Sequence, residues 1–499
     1  MRIGLIPLDE RPVNVRYPQM IAEIAGQEIV LPPMEVLSQR RKPANRNALQ
    51  SWMQSQAVDA WLVSVDMLGY GGLVTSRTSG DDVTDILANI NDLRDLDDVP
   101  LYGFNVITRV SNANSNTEEA VYWGLYGTRI YRYSQLKHRQ QLGHDVETEL
   151  ASLEADIPAE HLADFRQRRL RNHMVNLHVL KLFTEDVFDL LVISSDDTSE
   201  YGYGSQEKAW LQTWARRLAD SDPRLLFYPG ADEIGCVLMI RAILRGQTPP
   251  TFAIMYAIDE DRKQIAPYED GPISTTVERQ IRALGGTIMD TMSAADFVVA
   301  VNPPVRIGRE YDDTLPGYTQ ETARRVPHIE QFVRDIDQLL HEGRHVILCD
   351  VAYPNGADPL LIERLFQQVD VTKLAAYGAW NTAGNTIGTA LAQGVAASMA
   401  ASREQKQAQS RFLAHRFIED WGYQHLVRQA TIQWLGERYK VTGIAPQDTD
   451  DVLMYIENGL RDRLIQIPGL GKQWRIVPGS VRLPWQRLFE VDFDLEALD

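Results

Sequence analysis

Short apolar runs rich in β-branched residues alternate along this chain with stretches of helical periodicity, and this alternation constrains the fold most. Each run is followed by turn residues and then by a helical pattern, which is typical of βα units that build a parallel sheet or barrel. A Pro-Pro step at 249–250 separates two series of runs. The first series covers 2–8, 28–33, 60–68, 100–107, 190–197 and 225–233, and the second covers 251–258, 286–290, 297–304, 345–353 and 374–381.

The sequence therefore predicts an α/β fold with an N-terminal catalytic domain over residues 1–248, built as a barrel-like βα repeat or a doubly wound parallel sheet. Residues 249–390 are predicted to form a flavodoxin-like α/β domain, because five strands with interleaved helices suit a doubly wound sheet. Residues 391–499 are expected to be a helical C-terminal region. The Tyr, Arg and Leu spacing of residues 117–186 predicts a helical insertion that packs beside the site.

Composition excludes several partners. The formal net charge is −18, from 50 Lys+Arg and 68 Asp+Glu. Such an acidic surface repels nucleic acid and anionic membranes, so neither is an expected partner. No window approaches the roughly 18 apolar residues of a membrane span, and the N-terminus lacks the apolar core of a signal peptide, which predicts a cytoplasmic protein. Cys236 and Cys349 lie in apolar runs and are expected to be buried and unreactive.

Acidic pairs follow two of the predicted strands. In parallel α/β folds the loops after the strands converge on one face, where ligands bind. Asp196-Asp197 and Asp232-Glu233 are the candidate catalytic residues, since a helix cap needs one carboxylate and each pair supplies two.

Further polar residues stand at the same strand ends. Arginines among them would offset the repulsion within a cluster of carboxylates. The candidate substrate-binding residues are Asp9, Glu10, Arg11, Asp66, Tyr70, Arg77, Asn105, Arg109, Asp350, Trp380, Asn381 and Asn385.

Motifs for several other chemistries are absent from the sequence. The glycine-rich stretch at 69–72 is neither GxGxxG nor a P-loop, so nucleotide binding is not expected. Histidines never fall in HxH or HExxH spacing, and there is no GxSxG elbow. The sequence therefore predicts no cofactor and no metal site of these kinds.

Six segments together resemble a known family. They are DERPVN (9–14), DMLGYGGLVTSR (66–77), SDDTSEYG (195–202), PGADE (229–233), DVAYPNGAD (350–358) and GAWNTAGNTIGTA (378–390). Over essentially the whole chain they are similar to the bacterial domain-of-unknown-function family 4127, whose members are cytoplasmic and which implies no established activity. The strand-end acids at 196–197 also resemble those of substrate-assisted β-N-acetylhexosaminidases. That resemblance implies that Asp196 orients the sugar's acetamido group and that Asp197 is the general acid.

A carbohydrate hydrolase, specifically a glycoside hydrolase, is the function expected from these residues. Glycosidic cleavage needs one acid with a raised pKa and a second carboxylate, and the substrate would be a small molecule or an oligosaccharide. One alternative is a Mg²⁺- or Mn²⁺-dependent hydrolase with Asp9, Asp66, Asp196 and Asp232 as ligands. Another is a non-enzymatic sugar- or metabolite-binding protein hinged between two α/β domains. Homo-oligomerisation stays open.

Overall fold

A computed structural model describes residues 1–96, 98–219, 222–308 and 310–498 of the chain. The chain divides into two compact units. The first unit comprises Met1–Val15, Glu28–Leu238 and Tyr268–Asp270. The second comprises Arg16–Gln27, Met239–Pro267 and Gly271–Asp499.

The first unit is built on a six-stranded sheet in which every pairing is parallel. Its order is β2-β1-β3-β4-β5-β6, and among the described residues no pairing joins β6 to β2. The α/β prediction is confirmed, and of its two forms the sheet is the open, doubly wound one. The strands are β1 (Arg2–Ile6), β2 (Glu28–Val30), β3 (Ala60–Ser64), β4 (Leu101–Ile107), β5 (Leu190–Ser195) and β6 (Leu225–Pro229).

Continuous apolar runs make these strands suitable for the middle of a sheet. Leu191 and Ile193 of β5 are fully buried, as are Leu5 of β1 and Leu62 of β3. A strand buried on both faces needs such a run, which is why the central strands were visible in the sequence. The order of this sheet reverses at β1 and β3, and ligands of doubly wound folds bind at the carboxyl ends of the strands near that point.

Helices cover the sheet and fill the connection between β4 and β5. In that connection, α6, α7 and the first half of α8 share a small apolar cluster that includes Trp123 and Phe165. The second half of α8, from Val175 to Phe183, packs into the core of the sheet. The helices up to the start of the second sheet are α1 (Pro12–Ile24), α2 (Arg46–Ser55), α3 (Val65–Tyr70), α4 (Leu73–Thr78), α5 (Val83–Asn91), α6 (Trp123–Gln141), α7 (Glu147–Asp156), α8 (Ala159–Thr184), α9 (Tyr203–Ala219) and α10 (Ile234–Ile243).

The second unit contains a five-stranded sheet that is also parallel, in the order β8-β7-β9-β10-β11. Counted along the chain, this is the order 2-1-3-4-5 of flavodoxin-like folds, so the flavodoxin-like prediction is confirmed. The strands are β7 (Thr251–Tyr256), β8 (Thr287–Ile288), β9 (Phe297–Asn302), β10 (His345–Asp350) and β11 (Ala376–Gly378). The helices are α11 (Ile273–Leu284), α12 (Tyr318–His341), α13 (Pro359–Gln368) and α14 (Ala383–Met399).

The C-terminal region is helical, as predicted, and ends in a small structure that the sequence did not reveal. It contains α15 (Arg403–Phe417), a π-helix over Ile418–Val427, α16 (Arg428–Leu435) and α17 (Thr449–Leu464). An antiparallel pair, β12 (Trp474–Ile476) and β13 (Leu495–Ala497), follows. Strands of three residues separated by prolines carry too little periodicity to be recognised.

Short 3₁₀ turns complete the described structure. They cover Asp92–Asp95, Asp259–Lys263, Met292–Ala294, Val371–Lys373, Gly436–Arg438, Pro446–Asp448, Leu470–Lys472 and Pro484–Gln486. Within the described ranges, no helix is both long and apolar enough to span a bilayer.

Candidate functional site

The carboxyl end of β3 differs from the sequence prediction, which placed Asp66 at the end of that strand. The strand ends at Ser64, whose hydroxyl accepts a hydrogen bond from the Met67 N–H at 3.2 Å. This cap starts α3 at Val65 and turns the chain away from the sheet. Asp66 therefore lies in the first helical turn, 1% exposed, where its Oδ2 accepts the Val106 N–H at 2.9 Å.

Asp9, after β1, and Asp232, after β6, are held together by Arg11. The Arg11 guanidinium donates to Asp9 Oδ2 from Nε and Nη2, at 2.9 and 2.7 Å. It donates to the two oxygens of Asp232 at 3.1 and 2.5 Å. The Asn14 amide donates to Oδ1 of both acids, at 2.8 and 3.2 Å. All of these side chains are buried, so the guanidinium neutralises carboxylates that would otherwise be costly to desolvate.

Arg109, after β4, binds two more carboxylates. Its Nη1 donates to Asp197 Oδ2 at 2.7 Å, and its Nη2 donates to Glu118 Oε2 at 2.9 Å. Glu119 Oε1 lies 3.7 Å from Arg109 Nε. One guanidinium thus connects the acidic pair after β5 with a second acidic pair in the loop that leads into α6.

Arg77, in α4, lies against the other side of the same group. Its Nη1 is 3.3 Å from Asp196 Oδ2 and 3.4 Å from Glu119 Oε1, while its Nη2 is 3.4 Å from Glu118 Oε2. We call Arg77, Arg109 and these four carboxylates the double-arginine cluster. No three His, Cys, Asp or Glu side chains in the described part of the chain are grouped so as to hold a metal ion.

The backbone at Asp197 is unusual, with φ +36° in the left-handed region that non-glycine residues seldom adopt. The next residue is anchored, since the N–H and Oγ1 of Thr198 donate to the Tyr268 carbonyl at 2.9 and 3.1 Å. Tyr268 itself has φ +68°. Strained backbone of this kind persists where the surroundings over-determine it, and such positions concentrate at functional sites.

Asp196 and Asp197 line one small cavity of about 20 Å³, with Arg109 beside them. Tyr131 and Ser134 of α6 also line it, so the connection between β4 and β5 contributes to the wall. A space of this size holds about one water molecule. The two acids therefore have access to a water-sized space.

Asp196 and Asp197 differ in how deeply their side chains are buried. Burial raises the pKa of Asp196, the neighbouring Asp197 charge raises it further, and Arg109 and Arg77 oppose the rise. The Asp196 side chain is 12% exposed and that of Asp197 is 29% exposed. Burial also raises the pKa of Asp66, to about 7. Neutral and ionised carboxyl groups can thus coexist within this site near neutral pH.

The chain matches one family model, described as a protein of unknown function (DUF4127), over residues 3–494. It belongs to the DUF4127 family. No curated protein and no solved structure gave a significant match. The predicted resemblance to this family is confirmed, and the family description assigns no activity.

Other predicted residues of the first unit in this DUF4127 member face different partners. Glu10 accepts hydrogen bonds from Ser38 Oγ at 2.5 Å and the Arg40 N–H at 2.6 Å, which ties the loop after β1 to the loop after β2. Glu233 is fully buried and turns back over Gly230. Glu10 therefore has structural contacts besides its predicted role in substrate binding, and Glu233 packs against Gly230 besides its predicted catalytic role.

Tyr70 and Asn105 are buried in the same unit. The Arg171 guanidinium lies 5.3 Å from the Tyr70 ring centre, and burial raises the pKa of the phenol. Asn105 Nδ2 donates to Asn176 Oδ1 of α8 at 2.8 Å. Asn105 thus fastens β4 to α8.

Asp350 belongs to the second unit, where it ends β10 and has its own buried network. Asn302 Nδ2 donates to Asp350 Oδ1 at 2.8 Å and to Asp358 Oδ2 at 3.0 Å. Arg325 Nη2 donates to Asp358 Oδ2 at 2.6 Å. Burial and the nearby Asp358 charge raise the pKa of Asp350 to about 7.

Trp380, Asn381 and Asn385 also lie in the second unit, around the turn between β11 and α14. Asp420 of the π-helix holds this turn, because its Oδ2 accepts the Ala379 N–H at 2.6 Å. Asn381 has φ +68°, and Trp380 is only 2% exposed. The indole therefore does not offer its face to solvent in this conformation, and the substrate-binding role of Trp380 stays a prediction.

Glu118 and Glu119 are the residues of the site that sequence reasoning missed. They lie in an irregular loop between β4 and α6, well beyond the strand end where ligands were sought. The same signal that singled out Asp196-Asp197, two adjacent acids, was present there. In the second unit, Asn302 and Asp358 were missed because they belong to the network around Asp350 only through contacts in the folded chain.

Proposed function

We propose that this DUF4127 member is a cytoplasmic carbohydrate hydrolase of the glycoside hydrolase type, with Asp196 as proton donor and Asp197 as its ionised partner. The observation that carries the proposal is the pair itself: two adjacent acids in one cavity, each in contact with a different arginine. Acid and base roles are assigned where environments push two carboxyl pKa values apart.

The asymmetry of the pair supports this division of roles. Asp197 Oδ2 accepts a charge-assisted hydrogen bond from Arg109 Nη1 at 2.7 Å. Asp196 is more buried, has a raised pKa, and lies 3.3 Å from Arg77. These roles are the reverse of those that the hexosaminidase resemblance implies.

The cavity supports hydrolysis, because its volume of about 20 Å³ beside Asp196 and Asp197 holds about one water molecule. In this proposal the sugar lies outside the cavity, against the 29% of the Asp197 side chain that is exposed. A water held between two carboxyl groups is the nucleophile in one class of glycosidase.

A screen of nitrophenyl glycosides tests the proposal. We expect turnover by the wild-type protein, and a fall of about 100-fold or more in Asp196→Asn and in Asp197→Asn, which is the usual scale for losing an acid or base. Glu149→Gln, in an exposed ion pair with Arg132, is the matched control and should keep full turnover. Unchanged turnover in both aspartate variants would remove the pair from the mechanism. Retained substrate binding without any wild-type turnover would identify a binding protein.

A metal-dependent hydrolase is the second candidate. Among the described residues no three carboxylates are grouped as a metal site, but carboxylates outnumber guanidinium groups at this site. A bound Mg²⁺ or Mn²⁺ would balance the surplus with hard oxygen ligands. Loss of activity with EDTA and recovery with Mg²⁺ would favour it over the first proposal, whereas activity insensitive to chelators would exclude it. The carboxylates concerned are Asp9, Asp66, Glu118, Glu119, Asp196, Asp197 and Asp232, and the guanidinium groups are those of Arg11, Arg77 and Arg109.

A further inference from the structure

Two neighbouring helices of the first unit, α8 and α9, expose an apolar strip. Leu170 and Met174 of α8 are 61% and 44% exposed, and Trp210 and Trp214 of α9 are 41% and 44% exposed. On each helix the two residues are four positions apart, so they lie on the same face. We call these four side chains the tryptophan strip.

Contacts between the helices place the two halves of the strip on neighbouring elements. Arg169 pairs with Glu207, and the rings of His173 and Trp210 lie 5.6 Å apart. The second contact lies about one helical turn after the first on both helices, so α8 and α9 run side by side in the same direction. Leu170 and Met174 therefore lie along the same pair of parallel helices as Trp210 and Trp214.

Basic groups border the strip. The guanidinium of Arg217 lies 5.4 Å from the Trp214 ring centre, and that of Arg166 lies 5.6 Å from the Tyr133 ring centre near the start of α9. Both side chains belong to exposed residues, and neither forms an ion pair with a carboxylate among residues 1–96, 98–219, 222–308 and 310–498.

We infer that the tryptophan strip docks an acidic amphipathic segment of a partner protein. Exposed apolar patches rimmed by charge mark interaction sites, and Trp and Arg are the residues that most often dominate binding energy at interfaces. The apolar face of the segment covers Trp210 and Trp214, and its carboxylates meet Arg166 and Arg217. A second copy of the chain fits less well. In a two-fold symmetric dimer the two strips would pack antiparallel, so Arg217 of one copy would approach the end of the other strip that carries Arg166, and the two positive charges would repel each other.

Two synthetic helical peptides with the same Leu/Phe face, one flanked by Glu and the other by Lys, test this inference by fluorescence anisotropy with the full-length protein. We expect saturable binding of the Glu peptide that weakens with salt, and at least tenfold weaker binding of the Lys peptide. Trp210→Ala, Trp214→Ala and Arg217→Glu should each weaken binding of the Glu peptide about tenfold or more.

The matched controls are Trp434→Ala and Arg438→Glu. Trp434 is 38% exposed in the second unit, and Arg438 lies 4.9 Å from its ring centre, so the same chemistry is changed at another place. These variants should bind the Glu peptide as the wild type does. Absence of binding, equal binding of the two peptides, or equal losses in the controls would overturn the inference. Concentration-dependent dimers that Trp214→Ala abolishes would assign the strip to a second copy instead.

Discussion

Arg11 and Asp232, which are 221 residues apart in the chain, are joined by hydrogen bonds of 3.1 and 2.5 Å. The same guanidinium binds Asp9, so the loops that follow the first and last strands of the sheet are fastened to each other at the carboxyl ends. A contact of this length in sequence forms only when the strands between its ends are in place, and it reports on the assembly of the whole first unit.

Removing the guanidinium should therefore destabilise the first unit strongly. Arg11→Met leaves Asp9 and Asp232 buried without their cation, and breaking a buried ion pair in this way costs about 3–5 kcal/mol. Arg132→Met, which breaks an exposed pair with Glu149, should cost about 1 kcal/mol or less. Urea denaturation followed by tryptophan fluorescence measures both. Equal losses in the two variants would show that the Arg11 pairs contribute no more than a surface contact.

Asp66 should make the stability of the first unit depend on pH. Burial raises the pKa of Asp66 from 3.8 to about 7, so the folded protein holds a proton that the unfolded chain releases above about pH 4. Stability from this group is therefore complete at low pH and is lost as pH rises towards 7, by up to about 1.4 kcal/mol per pH unit.

Asp66→Asn removes this titration and provides the comparison. Its melting temperature relative to that of the wild type should rise between about pH 4 and pH 7 and then level off, because in this range only the wild type has to take up a proton on folding. Asn keeps an oxygen that can accept the Val106 N–H. A difference between the two proteins that stays constant with pH would mean that Asp66 does not change its protonation in this range.

Gly230 should not tolerate a side chain. It has φ +109°, and a Cβ at this position would lie 2.3 Å from Glu233 Oε1. Gly230→Ala should therefore add displacement of the buried Glu233 to a backbone cost of roughly 1–3 kcal/mol. Gly143→Ala, at φ +86° with no atom within 4 Å of a new Cβ, should show the backbone cost alone. Thermal unfolding of the two variants compares them, and equal losses would mean that Glu233 moves freely.

The two cysteines should resist thiol reagents. Cys236 and Cys349 are both fully buried, which confirms the expectation from their apolar runs. Burial raises the pKa of the Cys349 thiol, and the neighbouring Asp350 charge raises it further, so little thiolate forms. A disulfide reagent at pH 8 should label neither residue within minutes in the native protein, and both after denaturation in guanidinium. Rapid native labelling would indicate local opening of either sheet.

The strands and helices could be predicted from the sequence wherever burial imposes a local pattern of apolar residues. Runs such as 190–193 are apolar throughout, because the strand is covered on both faces. The sequence could not decide between a barrel and an open sheet. Strand order is set by which helices pack on which face of the sheet, and no local pattern encodes it. The end of β3 was misplaced because Ser64 and Asp66 alternate with Val65 and Met67, and this alternation continues the pattern of a strand past Val63.

The candidate site was predicted in part, for a similar reason. Residues next to strand ends, such as Asp9 and Asp196, could be placed at one edge of the sheet by topology alone. Glu118 reaches the double-arginine cluster through an irregular loop, whose path has no periodic signature. The orientation of Glu233, which turns towards Gly230 while Asp232 faces Arg11, is decided by packing that a dipeptide does not reveal.

The position of Asp232 in chain order has a consequence for synthesis. The residues around Arg11 and the double-arginine cluster follow β1, β3, β4, β5 and β6 in turn, and Asp232 comes last. Domains fold as units while the ribosome elongates the chain, so a nascent polypeptide that has not yet exposed Asp232 leaves Arg11 with one carboxylate instead of two. A prematurely terminated product thus lacks the contact that closes the site, and it should be recognised by quality-control proteases as an incompletely folded protein.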